Sequence, residues 1–368
     1  MIPSQNALAA ALLIAASLVC AGAEAQSVLE EGAEQKSTSK HYVLPANKDT
    51  AQWGWLDPTE KPKVIVDSGD TVSIETLRHS MDEIKPGASI EEIVKLRLAN
   101  PGGGPHSVTG PVYVNGAEPG DTMEIRIKKI VMKESGFNFS LPGKQFPTVG
   151  LLASEFPEGH VQYFKLDTKT MTTEFKPGIV LGLKPFPGTI CVGPDPNEPK
   201  EKVGPPIHDA KGRTSTLRPW KNGSNMDVNE LQEGSTLYLP VFQKGGLIWT
   251  GDSHCLQGNG EVNLTALECS YKEIEIQPIV RKDLHIDWPH AETSTRWIFM
   301  GFDEDLNEAM KIAVRETVNF LAEQKMVPMS REEAYALTSM VGDCRVSQVV
   351  DIRKGVHCMI PKSIFTTK

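Results

Sequence analysis

From Trp53 to about residue 285 the apolar positions fall in short β-branched runs, separated by clusters of Gly, Pro, Asn and Asp. Lys63-Val64-Ile65-Val66, Thr71-Val72-Ser73-Ile74, Met123-Glu124-Ile125-Arg126-Ile127 and Thr236-Leu237-Tyr238-Leu239 are such runs, and this spacing predicts strands. One pattern recurs three times: a glycine turn feeding a strand of alternating faces, in Asp67–Ile74, Glu118–Ile125 and Gln232–Leu239. The recurrence predicts an antiparallel, multi-strand, mainly β architecture.

Three segments change period. Asp303 to Lys325 carries Leu306, Met310, Ala313, Val314, Phe320 and Leu321 at three- and four-residue spacing, with acids crowding its start, and predicts a helix. Ser330-Arg331-Glu332-Glu333 is a capping-box pattern for a second helix running to about Met340. Ser89-Ile90-Glu91-Glu92 predicts a short third one, ended by Asn100-Pro101. The tail from Val346 to Ile360 returns to strand character, and the Pro- and Gly-rich stretch 185–221 reads as a long loop.

The amino-terminal region stands apart. Residues 7–23 are apolar apart from Ser17 and uncharged, and Ala23-Glu24-Ala25 offers a small-residue cleavage pattern, so residues 1–25 read as a secretory signal peptide. Residues 26–52 are polar and aperiodic, which predicts a flexible leader or a wrap-around arm before a domain spanning 53–368. Export implies a periplasmic or secreted protein with no stable membrane association after cleavage. Five cysteines then remain, an odd number, so at least one thiol is unpaired; all five are read as buried small apolar side chains. A net charge of −9 argues against a nucleic-acid partner and favours a small neutral or cationic ligand.

Candidate chemistry begins at Gly251-Asp252-Ser253-His254. Two positions apart on a strand, Asp252 and His254 share a face, and could bind one metal ion or act as an acid–base pair without one. Gly258-Asn259-Gly260-Glu261 follows, and a hairpin there would return a second carboxylate to the same place. His106 sits in the shaped loop Pro101–Pro111, which holds three consecutive glycines, and is a candidate ligand or general base. Asp227 is a candidate ligand and Asn225 a candidate amide-recognising group, although either could be a turn cap. His79, His208, His285, His290 and His357 lack comparable context and read as ordinary histidines. No Gly-x-Ser-x-Gly elbow, His-Glu-x-x-His or dinucleotide fingerprint occurs.

Together these motifs resemble the acetamidase/formamidase family. The block His106-Ser107-Val108-Thr109-Gly110-Pro111 through Gly116-Ala117-Glu118-Pro119-Gly120-Asp121 is similar to the family's H-P-x-T-G-P…G-A-E-P-G-D, with Ser107 in place of proline. Asn225-Met226-Asp227 resembles its G-G-N-M-D, and Gly251-Asp252-Ser253-His254 with Gln257-Gly258-Asn259-Gly260-Glu261 resembles its G-D-x-H-x-x-Q-G-D-G-E. Phe186-Pro187-Gly188-Thr189-Ile190 also fits, and the resemblance spans roughly 53–361.

The resemblance implies a β-sandwich or jelly-roll-like fold with appended helices near the carboxyl terminus, and a homo-oligomer, dimer or larger. It implies hydrolysis of a small amide, formamide- or acetamide-like, to carboxylic acid and ammonia. A divalent metal is expected, zinc before calcium or magnesium, held by Asp252, His254 and His106 and activating a water molecule. Glu261 is then expected to relay the proton, working with Asp252 and His254. Asn225 and Asp227 are expected to position the amide, and the same ion, or a backbone N–H of the glycine loop at Gly104, to meet the oxyanion. The departures at Ser107, Ser224, Cys255 and Asn259 bear on the substrate more than on the fold. The rival expectations are a non-catalytic exported binding protein, and a hydrolase of larger or cyclic amides such as lactams.

Overall fold

The computed structural model describes residues 39–202 and 204–366; the predicted signal segment and the first part of the predicted arm lie outside them. The described chain is mainly β, with two large sheets that share one hydrophobic core. One sheet has nine strands, in the order His41–Leu44, Thr71–Ile74, Tyr271–Arg281, Thr122–Met132, Thr236–Pro240, His290–Glu292, Arg296–Asp303, Lys354–Pro361 and Asp343–Gln348. The other has ten, built around Ile248–Leu256. Val72, Ile125, Leu237, Ile274 and Met300 from the first sheet pack with Val112, Ile190, Ile248 and Leu267 from the second. Burial of these alternating faces is the largest stabilising term available to such a sandwich.

The three recurring glycine–strand segments all enter the nine-stranded sheet, as Thr71–Ile74, Thr122–Met132 and Thr236–Pro240. Their glycines, Gly69, Gly120 and Gly234, have φ of 94°, 95° and 87°, a turn conformation that a Cβ disfavours.

Three α-helices occur among the described residues. α1 (Ile90–Ala99) and α3 (Arg331–Val341) begin with complete capping boxes, Ser89 with Glu92 and Ser330 with Glu333. α2 (Leu306–Glu323) starts at Asp305, whose side chain accepts from the Asn307 N–H. Its buried face is Ala309, Ala313, Thr317, Val318 and Leu321, while Leu306 stays 36% exposed and is not part of it. This face lies against Phe299, Val356, Cys358 and Ile360 of the nine-stranded sheet.

Three expectations are corrected. His41–Leu44 pairs in parallel with Thr71–Ile74, so order begins before Trp53 and part of the predicted arm is an edge strand. Main-chain pairing holds it, and that leaves no periodic trace in side chains. The stretch 185–221 is not loop throughout: Phe186–Cys191 is a fully buried strand between Ile248–Leu256 and Gly223–Asn225. Finally, four of the five cysteines pair, Cys255 with Cys269 and Cys344 with Cys358, leaving only Cys191 as a buried thiol. Both pairs join neighbouring strands, a proximity created by register.

Candidate active site

Ile248–Leu256 organises the site by changing partners. One edge runs along Phe186–Cys191; the other pairs first with Ser107–Val114 and then with Leu267–Cys269. The hand-over falls between Gly251, opposite Val108, and Ser253, opposite Cys269. Asp252 sits at that point with φ of 48°, a left-handed backbone rare for a non-glycine residue. Asp227 and Glu261 share it, at 52° and 47°. Strain of this kind persists only where surrounding structure enforces it, and it gathers at functional sites.

The partner change brings remote side chains together. His106 immediately precedes the strand Ser107–Val114, and its Nε2 lies 3.7 Å from Asp252 Oδ2. Glu268 is the cross-strand neighbour of His254, and their Oε1 and Nε2 are 3.4 Å apart. His254 Nε2 is 3.5 Å from Asp252 Oδ1, and its Nδ1 is 3.7 Å from Asp227 Oδ1. His79 Nε2 bonds Asp252 Oδ1 at 2.7 Å and approaches Glu268 Oε2 at 3.1 Å. His79 leads into Ser80-Met81-Asp82, all at positive φ. That turn is held by Ser107, whose Oγ donates to Arg78 O and accepts from Met81 N–H, both at 2.8 Å.

A further acidic group closes the arrangement from the carboxyl-terminal segment. Gly260 bridges to Gln348, with Gly260 N–H donating to Ser347 O and Val349 N–H to Gly260 O. The bridge draws Asp351 beside Glu261 and Asp227, with one oxygen from each within 4.8 Å of the others. All these groups except Asp227 line one cavity of about 490 Å³, as does Asn225.

The charges are strongly coupled. Burial opposes the charge on His79, but the Glu268 and Asp252 carboxylates outweigh it and raise its pKa to about 10. Burial drives His106 the other way, to about 4, so it is a neutral donor. Asp252 is held well below the carboxylate range because His106 and His254 overcome its burial. Asp227 and Glu261 are pushed well above it by burial and by facing carboxylates, and Asp351 is pushed up to about 7.

This donor set fits a divalent cation. Both carboxylate oxygens of Asp227 and Nδ1 of His254 are buried without a hydrogen-bond partner, which is costly unless a ligand completes them. Tetrahedral donors about 2.0–2.1 Å from a zinc-like ion stand roughly 3.4 Å apart. The separations of 3.4–3.5 Å from His254 Nε2 to Glu268 Oε1 and Asp252 Oδ1 match that spacing better than direct hydrogen bonding. Gly188 keeps the space open: a Cβ there would meet His254 Cε1 at 2.5 Å, Asp227 Oδ1 at 2.7 Å and Asp252 Oδ2 at 2.8 Å.

Asp252, His254, His106, Glu261, Asp227 and Asn225 therefore converge, as their motifs led one to expect. Asp227 Oδ1 lies 3.7 Å from His254 Nδ1, and Asp227 is not among the side chains that line the cavity. Gly104 packs behind His106, against Thr216, and its N–H is taken by Gly54 O at 3.2 Å, so it has none to offer an oxyanion. His79, Glu268 and Asp351 were missed. Glu268 had one usable signal, a lone acid inside the apolar run Ala266-Leu267-Glu268-Cys269. Asp351 ends Arg345-Val346-Ser347-Gln348-Val349-Val350-Asp351, a segment that also resembles the family but carried no assigned role, and His79 had no signal, since register brings it in.

The acetamidase/formamidase family model matches residues 46–204 and 206–367. The chain belongs to that family. Its members hydrolyse carbon–nitrogen bonds other than peptide bonds. Among solved structures, the acetamidase from Bacillus halodurans is 26% identical with a TM-score of 0.74, covering 88% of this chain and 98% of that one. A predicted acetamidase/formamidase from Thermoanaerobacter tengcongensis is 27% identical, also at 0.74, covering 89% and 97%. The formamidase of Methylophilus methylotrophus is 25% identical over 248 residues, a match spanning 58% of this chain and 60% of that relative.

Proposed function

We propose that this family member hydrolyses the C–N bond of a small amide, giving a carboxylic acid and ammonia, at the cluster around Asp252. One observation carries the reading: histidines and carboxylates from widely separated segments meet at the wall of a single cavity, with buried donor atoms left without partners. His106, Asp252 and His254, joined by Glu268, are the side chains that would hold a divalent ion. Such an ion supplies Lewis acidity and lowers the pKa of water toward 7.

The protein's own groups do the rest. Asn225 lines the cavity, and its Oδ1 accepts from Thr189 Oγ1 at 3.0 Å, which fixes the amide's orientation and turns its N–H₂ toward a substrate carbonyl. Thr189 Oγ1 also lies 3.3 Å from Asp252 Oδ2, tying that carboxylate to the same frame. Addition of water to the amide carbon releases a proton, and the departing nitrogen needs one. Glu261, whose burial favours the protonated form, gives its proton to the departing nitrogen and regains one from the adding water. His79 bonds to Asp252 and orients it. We also propose export; two cross-strand disulfides support an oxidising compartment.

Ammonia release from formamide, acetamide, propionamide and a γ-lactam tests the activity, with metal content measured on the same preparation. Release from at least one amide, lost on chelation and restored by a divalent metal, is expected. A metal-loaded preparation that releases no ammonia from any amide, neutral or carboxylate-bearing, would refute the proposal.

A further inference from the structure

The cavity holds more than the smallest amides require, and a cation in its wall has a buried donor without an acceptor. At about 30 Å³ per water-sized group, a four-heavy-atom amide fills roughly a quarter of the 490 Å³. Phe139, Leu141, Val149, Leu217, Leu264 and Ile352 make the remaining wall apolar. Among them stands Arg97, from the last turn of α1. The residue as a whole is half-buried, yet its Nη1 is sealed from solvent with no hydrogen-bond partner among the described residues.

An enclosed guanidinium without an acceptor is costly, and arginine stays charged throughout the working pH range. Arg97 feels Asp351 as a through-space attraction, which leaves its Nη1 without an acceptor. The geometry of a guanidinium's fork of N–H donors matches a carboxylate.

We propose that the preferred substrate is an amide carrying a carboxylate at the far end of a short apolar spacer, with Arg97 receiving the carboxylate while the amide lies at the Asp252–His254 cluster. This rests on the amidase reading above and names its substrate class. Succinamate, glutaramate and adipamate should therefore surpass neutral amides of equal length, such as butyramide and valeramide, in kcat/KM, with most of the difference in KM. Arg97→Gln should lower kcat/KM for the best anionic substrate roughly 10²-fold more than for its neutral counterpart, and Arg97→Lys should recover part of that selectivity. The wild-type order needs no variant: neutral amides equal to or better than the anionic series overturn the inference and leave the amidase reading standing. Equal losses on both series in Arg97→Gln overturn it too. No ammonia from any amide, neutral or anionic, removes the amidase reading and this inference with it.

Discussion

In the sheet backed by α2, contact is made by Phe299, Val318, Leu321 and Ile360, and every ordinary residue keeps a negative φ. In the sheet around Ile248–Leu256, the equally buried positions include Asp252, His254 and Glu268, and Asp252 is held in a left-handed backbone. The two sheets share a core but lie at opposite ends of one trade-off. The first gains stability from regular ladders and apolar packing. The second gives some of it up to hold charges out of water at fixed separations. A substitution should therefore have different consequences according to which sheet receives it.

Glu261 is the most direct test on the site side. Glu261→Gln should lower turnover roughly 10²–10⁴-fold while metal content and Tm stay near wild type. Full activity with metal bound would remove the proton-relay role.

A matched pair of glycines sharpens the contrast. Gly188→Ala puts a methyl among His254, Asp227 and Asp252, and should cost at least about 10²-fold in kcat/KM together with metal affinity. Gly301→Ala, in the helix-backed sheet, drives a methyl into α2 backbone, 2.2 Å from Ala309 O. It should cost about 1–3 kcal/mol of stability and leave kcat of the folded fraction unchanged. Loss of activity on Gly301→Ala at temperatures where the protein is folded would contradict the division.

The two disulfides form another matched pair, since each closes a separation of 14 residues. Replacing either pair with serines should cost about 3 kcal/mol, read as a lower Tm. Only loss of Cys255–Cys269 should also lower kcat, because it staples the strands on which His254 and Glu268 face each other. Equal kcat in both variants would show that the strand pairing holds without the cross-link.

The smallest effect concerns pH in the helix-backed sheet. Burial, then the Arg345 charge, lowers the His357 pKa to about 4, and its ring is held neutral beside Ser347. Its folded pKa lies below the unfolded value near 6.5, so its contribution is complete above that pH and fades as pH falls toward 4. The loss amounts to at most about 3 kcal/mol. Tm measured from pH 7 to 4 should fall less steeply in His357→Gln than in wild type; parallel curves would assign the acid loss to other groups.

Much of this molecule was readable along the chain, for reasons that are local. Ser89 with Glu92 and Ser330 with Glu333 are helix starts because capping acts across three residues. The glycine turns before Thr71, Thr122 and Thr236 are set by one residue's φ and by alternation over the next few. Asp252, His254 and Glu261 lie close in the chain and line the same cavity.

Other features depended on which strand lies beside which. Glu268 belongs to the site because its strand takes over the edge that Ser107–Val114 relinquishes. His79 arrives on a left-handed turn fastened by Ser107, and Asp351 across a bridge between Gly260 and Gln348. The cysteine partners and the withdrawal of Gly104 behind His106 have the same origin. Capping, turn chemistry and side-chain period are encoded within a few residues, so the sequence by itself determined the element types, the mainly β class and the central acid–imidazole motif. Strand order and register are settled by packing across the whole chain, and only the tertiary structure could decide which groups complete the cluster and which cation is left facing the cavity.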